Sequence, residues 1–230
     1  MSHSKKNNSI VLASTSPRRR NLISRFHHPI LMRAPEAQEE PPNLNEAPTD
    51  YVKRMATLKA LSASNTRNAT DLVIGADTIV WLNDEIFGKP SSIQDASRML
   101  SFLRNTTHNV STSMVLIPAN RDDMLIVTST VSVTMRNYSD VEIEEYVKTG
   151  DPMDKAGAYA IQHRGFHPVK TYDGCYTSVL GLPLCTLSIS LKRCGVKICP
   201  VECGVGIDSE YYVAPLKLKT NNILDKGDLR

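Results

Sequence analysis

Asp77 interrupts an apolar run, with Leu72 to Ala76 before it and Ile79-Val80-Trp81-Leu82 after it. An ionised carboxylate in such a setting must be paired, hydrogen-bonded or bound to metal, because its desolvation is otherwise too costly. That makes Asp77 the strongest single catalytic candidate. The second concentration of chemistry is ASTSPRRR, residues 13 to 20, where Ser14, Thr15 and Ser16 lead through Pro17 into three arginines. Ser16 suits a helix N-cap and Pro17 the first helical position, so the arginines fall in a first turn that already carries partial positive charge. Cations there are disfavoured by roughly 0.3–1 kcal/mol each. The arrangement points to an anionic guest, phosphate above all, held by Arg18, Arg19 or both with nearby hydroxyls and amides.

Other polar residues fall where they could join this chemistry. Val52, Met55, Ala56 and Lys59 share one helical face, so Lys59 either snorkels out or reaches into a cleft. Lys89, in Gly88-Lys89-Pro90, follows a hairpin that returns it toward Asp77, although by itself it reads as an exposed turn lysine. The segment from 150 to 165 combines small Ala156, Gly157 and Ala158 with Asp154, Lys155, Tyr159 and Gln162, whose amide can read a base edge. Between residues 35 and 48 four prolines hold a loop extended, and one of its carboxylates, Glu36, Glu39, Glu40 or Glu46, could face the phosphate site as a metal ligand. Glu36 and Glu46 read as solvated. His108 reads as structural.

The elements needed to position these groups are legible. Ile10 to Ala13 is a short strand, and a helix follows Pro17. A second helix runs from Pro48-Thr49-Asp50 through YVKRMATLKALSAS. The Asp77 strand and a short strand at 85–87 flank a turn at Asn83-Asp84. Ser92 caps a helix with Ile93, Ala96, Met99, Leu100 and Leu103 on one face, and strands span about 109–117 and 124–135. Ser139 to Glu142 has capping-box spacing, opening a helix closed at Gly150, and a last helix runs from Pro183 to Gly195. Residues 1–8 read as a disordered leader, and 196–230 as an extension without assignable chemistry.

A chain of 230 residues with 41% apolar and 22% charged residues reads as a globular protein. No apolar run approaches the roughly 20 residues of a membrane span, and the start lacks a secretory core. These features place the chain in the cytosol. A net charge of +3 does not indicate nucleic acid. Five cysteines, an odd number, fit reduced thiols better than a disulfide framework, with Cys185 and Cys194 acting as small hydrophobes.

With LASTSPRR, VIGADT, GKP, DKAGAYAIQ and VLGLPL in that order, the chain resembles the Maf (septum formation protein) family of nucleoside triphosphate pyrophosphatases from about Ile10 to Leu191. The resemblance implies an elongated, two-lobed α/β fold around a mixed sheet, similar to that of inosine triphosphate pyrophosphatases, spanning residues 9–195. It also implies hydrolysis of a nucleoside triphosphate to monophosphate and pyrophosphate, a divalent cation (Mg, Mn or Co) and a homodimer. The SPRR, GADT and AIQ combination resembles the branch acting on dTTP and UTP. By that resemblance Asp77 is the proton acceptor, with Arg18, Thr78 and Gln162 at specificity positions. Ser14, Arg19, Lys59 and Lys89 match phosphate-binding positions, and Glu40 joins Asp77 at the metal. Glu39 stands where the family usually has Asp, and Arg104-Asn105-Thr106 replaces a more usual Ser-Gly-Arg.

The expected chemistry is attack of water on the α-phosphorus, with Asp77 either orienting and deprotonating it or holding the metal that activates it. The competing reading is a nucleotide-binding regulatory module of cell division without turnover. The joint presence of Asp77, Glu40, Lys59 and Lys89 speaks for the enzyme. Nucleic-acid binding through the arginine run is the weakest reading.

Overall fold

Two long neighbouring strands, each of eleven residues, carry the centre of the molecule: β3 (Leu72–Leu82) and β5 (Thr107–Ile117), paired antiparallel from Val73–Ile117 to Trp81–Asn109. The computed structural model describes residues 9–38, 40–65, 71–119, 123–198 and, as backbone, 210–215. Around the central pair an eight-stranded mixed sheet forms in the order β2-β1-β3-β5-β6-β7, with β4 on β3 and β8 on β6. The further strands are β1 (Ile10–Ala13), β2 (Ile30–Arg33), β4 (Glu85–Phe87), β6 (Asp123–Met135), β7 (Val169–Asp173) and β8 (Glu210–Pro215). β1 runs parallel to both neighbours, and every other pairing is antiparallel.

Alternation along β1 sends side chains to opposite faces of the sheet. Ile10 and Leu12 join a core with α1 (Pro17–Ile23) and α6 (Leu184–Arg193), through Leu22, Ile23, Leu184, Leu187 and Leu191. Val11 and Ala13 face α2 (Pro48–Ser64), which presents Ala56, Ala60 and Ala63. A separate core gathers Val80 and the far ends of β5 and β6 against α3 (Ile93–Leu103) and α4 (Asp140–Lys148), around Leu100, Tyr138 and Tyr146. β3 therefore passes from the first two cores into the third. Asp77 and Thr78 lie at the crossing, just beyond the register Ala13–Gly75 where β1 ends and the chain turns away into α1.

Gly75 sets how closely α2 approaches this strand. A Cβ there would fall 2.5 Å from the Ala60 amide nitrogen and 2.7 Å from the Ala60 Cβ. Glycine and three alanines thus let the helix lie directly on the strand, bringing Lys59 to the level of Asp77.

Local signals account for most elements. Ser16 caps α1 with Pro17 at its first position, Ser92 accepts from the Asp95 amide, and the box between Ser139 and Glu142 is complete in both directions. Val131, Val133 and Met135 are buried while Ser132 is exposed, as their alternation predicts. Other details differ from expectation. The cap of α2 is Ala47, without a side-chain hydrogen bond, and Ile93 is half exposed at the start of α3. β2, β7 and the short helix α5 (Tyr176–Val179) went unread, being four or five residues long with little periodicity. Cys185 is disulfide-bonded, which corrects the expectation of a reduced thiol there, whereas Cys175 is a free thiol. Within the extension, β8 joins the same sheet through β6. The expected leader, residues 1–8, lies outside the described residues. No helix among the described residues is long and apolar enough to cross a membrane.

Substituting Gly75→Ala should force α2 away from β3 and cost about 2–3 kcal/mol of stability. Urea denaturation will show a lowered midpoint, and an unchanged midpoint would contradict the close approach.

Candidate functional site

A cavity of about 430 Å³ opens where β3 crosses between cores. On one wall Lys59 Nζ donates to Asp77 Oδ1 at 2.6 Å, with both side chains largely buried, 10% and 13% exposed. Lys59 therefore reaches into the cleft rather than snorkelling out. The pair satisfies the requirement for a counter-ion beside a carboxylate embedded in an apolar strand. No partner to Asp77 Oδ2 is seen among the described residues, so one carboxylate oxygen remains to act on a ligand or water.

The opposite wall is built around Arg19. Its Nε donates to the Gly181 carbonyl at 2.8 Å and its Nη2 to Thr78 Oγ1 at 2.9 Å, while Nη1 reaches Ser14 Oγ at 3.5 Å. Its guanidinium thus ties the start of α1 to β3 and to the turn before α6. Gly181 adopts φ +102°, a conformation L side chains rarely adopt, and an added Cβ would crowd Thr78 Oγ1 at 3.2 Å and Arg19 Nε at 3.5 Å. Ser14 Oγ accepts from the Ser16 amide as well as from Arg19. Having accepted twice, the hydroxyl has its proton left to give, and phosphate oxygen is a fitting acceptor.

Arg18 lies at the mouth, 3.5 Å from Asp154 Oδ2. Asp154 is held in turn by Lys155, whose Nζ donates to Asp154 Oδ1 at 2.6 Å and to Asp151 Oδ1 at 2.9 Å. Burial pushes the Asp154 carboxyl up, but the Lys155 hydrogen bond and the Lys155 and Arg18 charges outweigh it and hold the group below its ordinary value. Lys89 and Gln162 line the cavity as exposed side chains, and Thr78 is half buried.

Eight of the residues singled out from sequence thus line one cavity: Ser14, Arg18, Arg19, Lys59, Asp77, Thr78, Lys89 and Gln162. Glu40 does not. Its carboxylate is half exposed and 3.5 Å from Arg54 Nη1, and its carbonyl accepts from the Tyr51 hydroxyl. Glu46 is not a solvated linker residue. Arg54, buried in α2, clasps it with Nε and Nη2, each at 2.7 Å. Glu39 lies outside the described residues. Among the described residues no cluster of three metal-ligating side chains occurs. A lone carboxylate such as Asp77 still suits magnesium or manganese, which take one or two carboxylates together with substrate phosphate oxygens.

One structural residue escaped the sequence reading. Arg54 fixes the acidic loop, and its only signal was a charge on a helix flank. Tyr159 lines the cavity with its hydroxyl 2.7 Å from His108 Nε2, and His108 is 1% exposed. His108 has the structural role expected of it. Desolvation lowers its pKa to about 4, and no partner to its Nδ1 is seen among the described residues.

Basic groups from three segments stand around the largely buried Asp77 carboxylate on a central strand of a mixed sheet, the architecture of an α/β protein with a polar cleft across its sheet. Its lineage is specific: the Maf-like protein family model matches residues 9–194, and the chain belongs to that family. It is 40% identical over 190 residues to the dTTP/UTP pyrophosphatase of Dictyoglomus thermophilum, covering 82% of this chain and 97% of that protein. It is 43% identical over 186 residues to the dTTP/UTP pyrophosphatase of Geobacter sulfurreducens, covering 81% and 96%. Among solved structures, a nucleoside-triphosphatase / dITP/XTP pyrophosphatase from Mycobacterium abscessus aligns with 56% of this chain and 75% of its own, at 12% identity and a TM-score of 0.34.

The buried His108 has a consequence for acid stability. Its folded pKa of about 4 lies below the ordinary 6.5, so its contribution is fully present above pH 6.5 and is lost as the pH falls toward 4, while the unfolded chain takes up the proton. The lost stability is about 3 kcal/mol. Urea melts between pH 7 and 4 should fall less steeply for His108→Gln than for the wild type, and parallel profiles would contradict this.

Proposed function

We propose that this protein is a nucleoside triphosphate pyrophosphatase that hydrolyses dTTP and UTP to the monophosphate and pyrophosphate. The observation that carries the proposal is Asp77, a carboxylate held by Lys59 inside a cleft that Arg18, Arg19, Lys89 and several hydroxyls also line, with the one other lining carboxylate among the described residues, Asp154, already engaged by Arg18 and Lys155. A site for passive phosphate capture gains nothing from a carboxylate, whereas a site that aims water at phosphorus uses one to orient the water or accept its proton. The names of the relatives, dTTP/UTP pyrophosphatases, support the same chemistry and the choice of pyrimidine.

In this reading Arg18, Lys89 and the Ser14 hydroxyl hold the triphosphate, and Arg19 keeps the wall in shape. Asp77 accepts a proton from water as its oxygen bonds to the α-phosphorus and the bond to the departing pyrophosphate breaks. Lys59 and Lys89 receive the charge that develops on the leaving group. A divalent cation, when bound, neutralises triphosphate charge and polarises the reacting phosphoryl group. Asp77 is the side chain that would hold it; Glu40 remains with Arg54 in this arrangement. Gln162 and Thr78 face the nucleoside. The protein acts as a cytosolic homodimer on free nucleotides, with no membrane or nucleic-acid partner.

Pyrophosphate release should be measured with dTTP, UTP, CTP, GTP and 7-methyl-GTP and with magnesium, manganese or cobalt. Turnover of dTTP and UTP is expected, and tight binding without release would make the protein a regulatory nucleotide-binding module instead. Asp77→Asn should retain the fold, checked by thermal melting, and lower kcat by at least about a hundredfold. Near-normal kcat in that variant would remove Asp77 from the chemistry.

A further inference from the structure

Thr78 belongs to a chain of hydroxyls whose direction is fixed at both ends. Arg19 can only donate, and its Nη2 does so to Thr78 Oγ1 at 2.9 Å. At the far end Thr112 Oγ1 donates to the Ser178 carbonyl at 2.8 Å, and a carbonyl can only accept. Thr112 has one hydroxyl proton and has given it to Ser178. The 2.9 Å contact between Thr78 Oγ1 and Thr112 Oγ1 must therefore be donated by Thr78. Thr78 has spent its own proton inward, and toward the cavity it offers a lone pair alone.

We infer that Thr112, fully buried and outside the cavity wall, is a positioning residue that makes Thr78 an obligate acceptor and so selects a nucleotide base presenting a donor at N3. This rests on the pyrophosphatase reading and deepens it. Phosphate oxygens at neutral pH are acceptors, so such a Thr78 cannot bond them and faces the nucleoside. Uracil and thymine carry an N3–H donor on the pairing edge, whereas cytosine carries a bare N3 acceptor there. A Thr78 hydroxyl free to rotate would serve both. One locked by Thr112 serves the imide N3–H and meets the lone pair of cytosine N3 with a lone pair of its own, so cytosine must shift to bring its 4-amino donor there instead. Ser14 is the complement: having accepted twice, it has a proton to give and suits phosphate.

The test compares Thr112→Val, which keeps the shape but removes the acceptor, with Thr112→Ser, which keeps the hydroxyl. kcat and KM for UTP and CTP are measured for each, with thermal melting as the check on folding. Wild type and Thr112→Ser should share one UTP-to-CTP ratio of kcat/KM, and in Thr112→Val that ratio should fall about tenfold, with CTP gaining in KM. An unchanged ratio in Thr112→Val would overturn the inference, as would an equal fall in both variants. If the wild type releases no pyrophosphate from either nucleotide, the pyrophosphatase reading fails separately. The ratio is then read from calorimetric binding of the α,β-methylene analogues of UTP and CTP, with the same expectation for the two variants, and an absence of binding also overturns the inference.

Discussion

The ion pair between Lys59 and Asp77 is the interaction on which the rest of the site depends. A carboxylate embedded in a central strand needs a compensating partner, and here a counter-charge at hydrogen-bonding distance comes from the helix lying on the same strand. The helix comes close enough because residue 75 has no side chain and residues 56, 60 and 63 have only a methyl group. A packing constraint, small residues at one helix–strand crossing, is thereby converted into an electrostatic arrangement. The pair also neutralises the carboxylate in a cleft meant for anions, so a polyphosphate does not meet an uncompensated negative charge.

The two walls of the cleft differ in how firmly they are set. Arg19 is held by hydrogen bonds to two distant parts of the chain, Thr78 and Gly181, and Ser14 by its neighbours Ser16 and Arg19, so this wall is pre-organised. Arg18, Lys89 and Gln162 stand nearer the solvent, and Arg18 meets Asp154 at only 3.5 Å. A ligand can displace that contact at little cost, because partly exposed ion pairs contribute about 0–1 kcal/mol. Fixed groups beside the reacting atoms and adjustable groups at the mouth suit a site that must hold one geometry for chemistry yet admit and release a charged nucleotide.

Much of this was legible in the sequence because the relevant residues break local rules. Asp77 breaks an apolar strand, and the arginines sit where a helix start disfavours cations. Lys59 occupies an otherwise apolar face. Each anomaly needs a partner, and the fold supplies it. Residues that obey local rules gave no such signal. Thr112 is one of many hydroxyls on a β-strand, and its bond to Ser178 spans 66 positions. Arg54 looks like an ordinary surface charge until the loop carrying Glu46 folds onto it. Glu40 is placed by the family resemblance and its spacing to Tyr51, and spacing along an extended proline-rich loop does not fix the direction of a side chain.

The central claim is that Asp77 directs water to the α-phosphorus. Turnover of UTP in water labelled with heavy oxygen, followed by mass spectrometry of both products, tests it most directly. The account predicts the label in the nucleoside monophosphate and none in pyrophosphate. Label in pyrophosphate, or release of the diphosphate and inorganic phosphate, would contradict it.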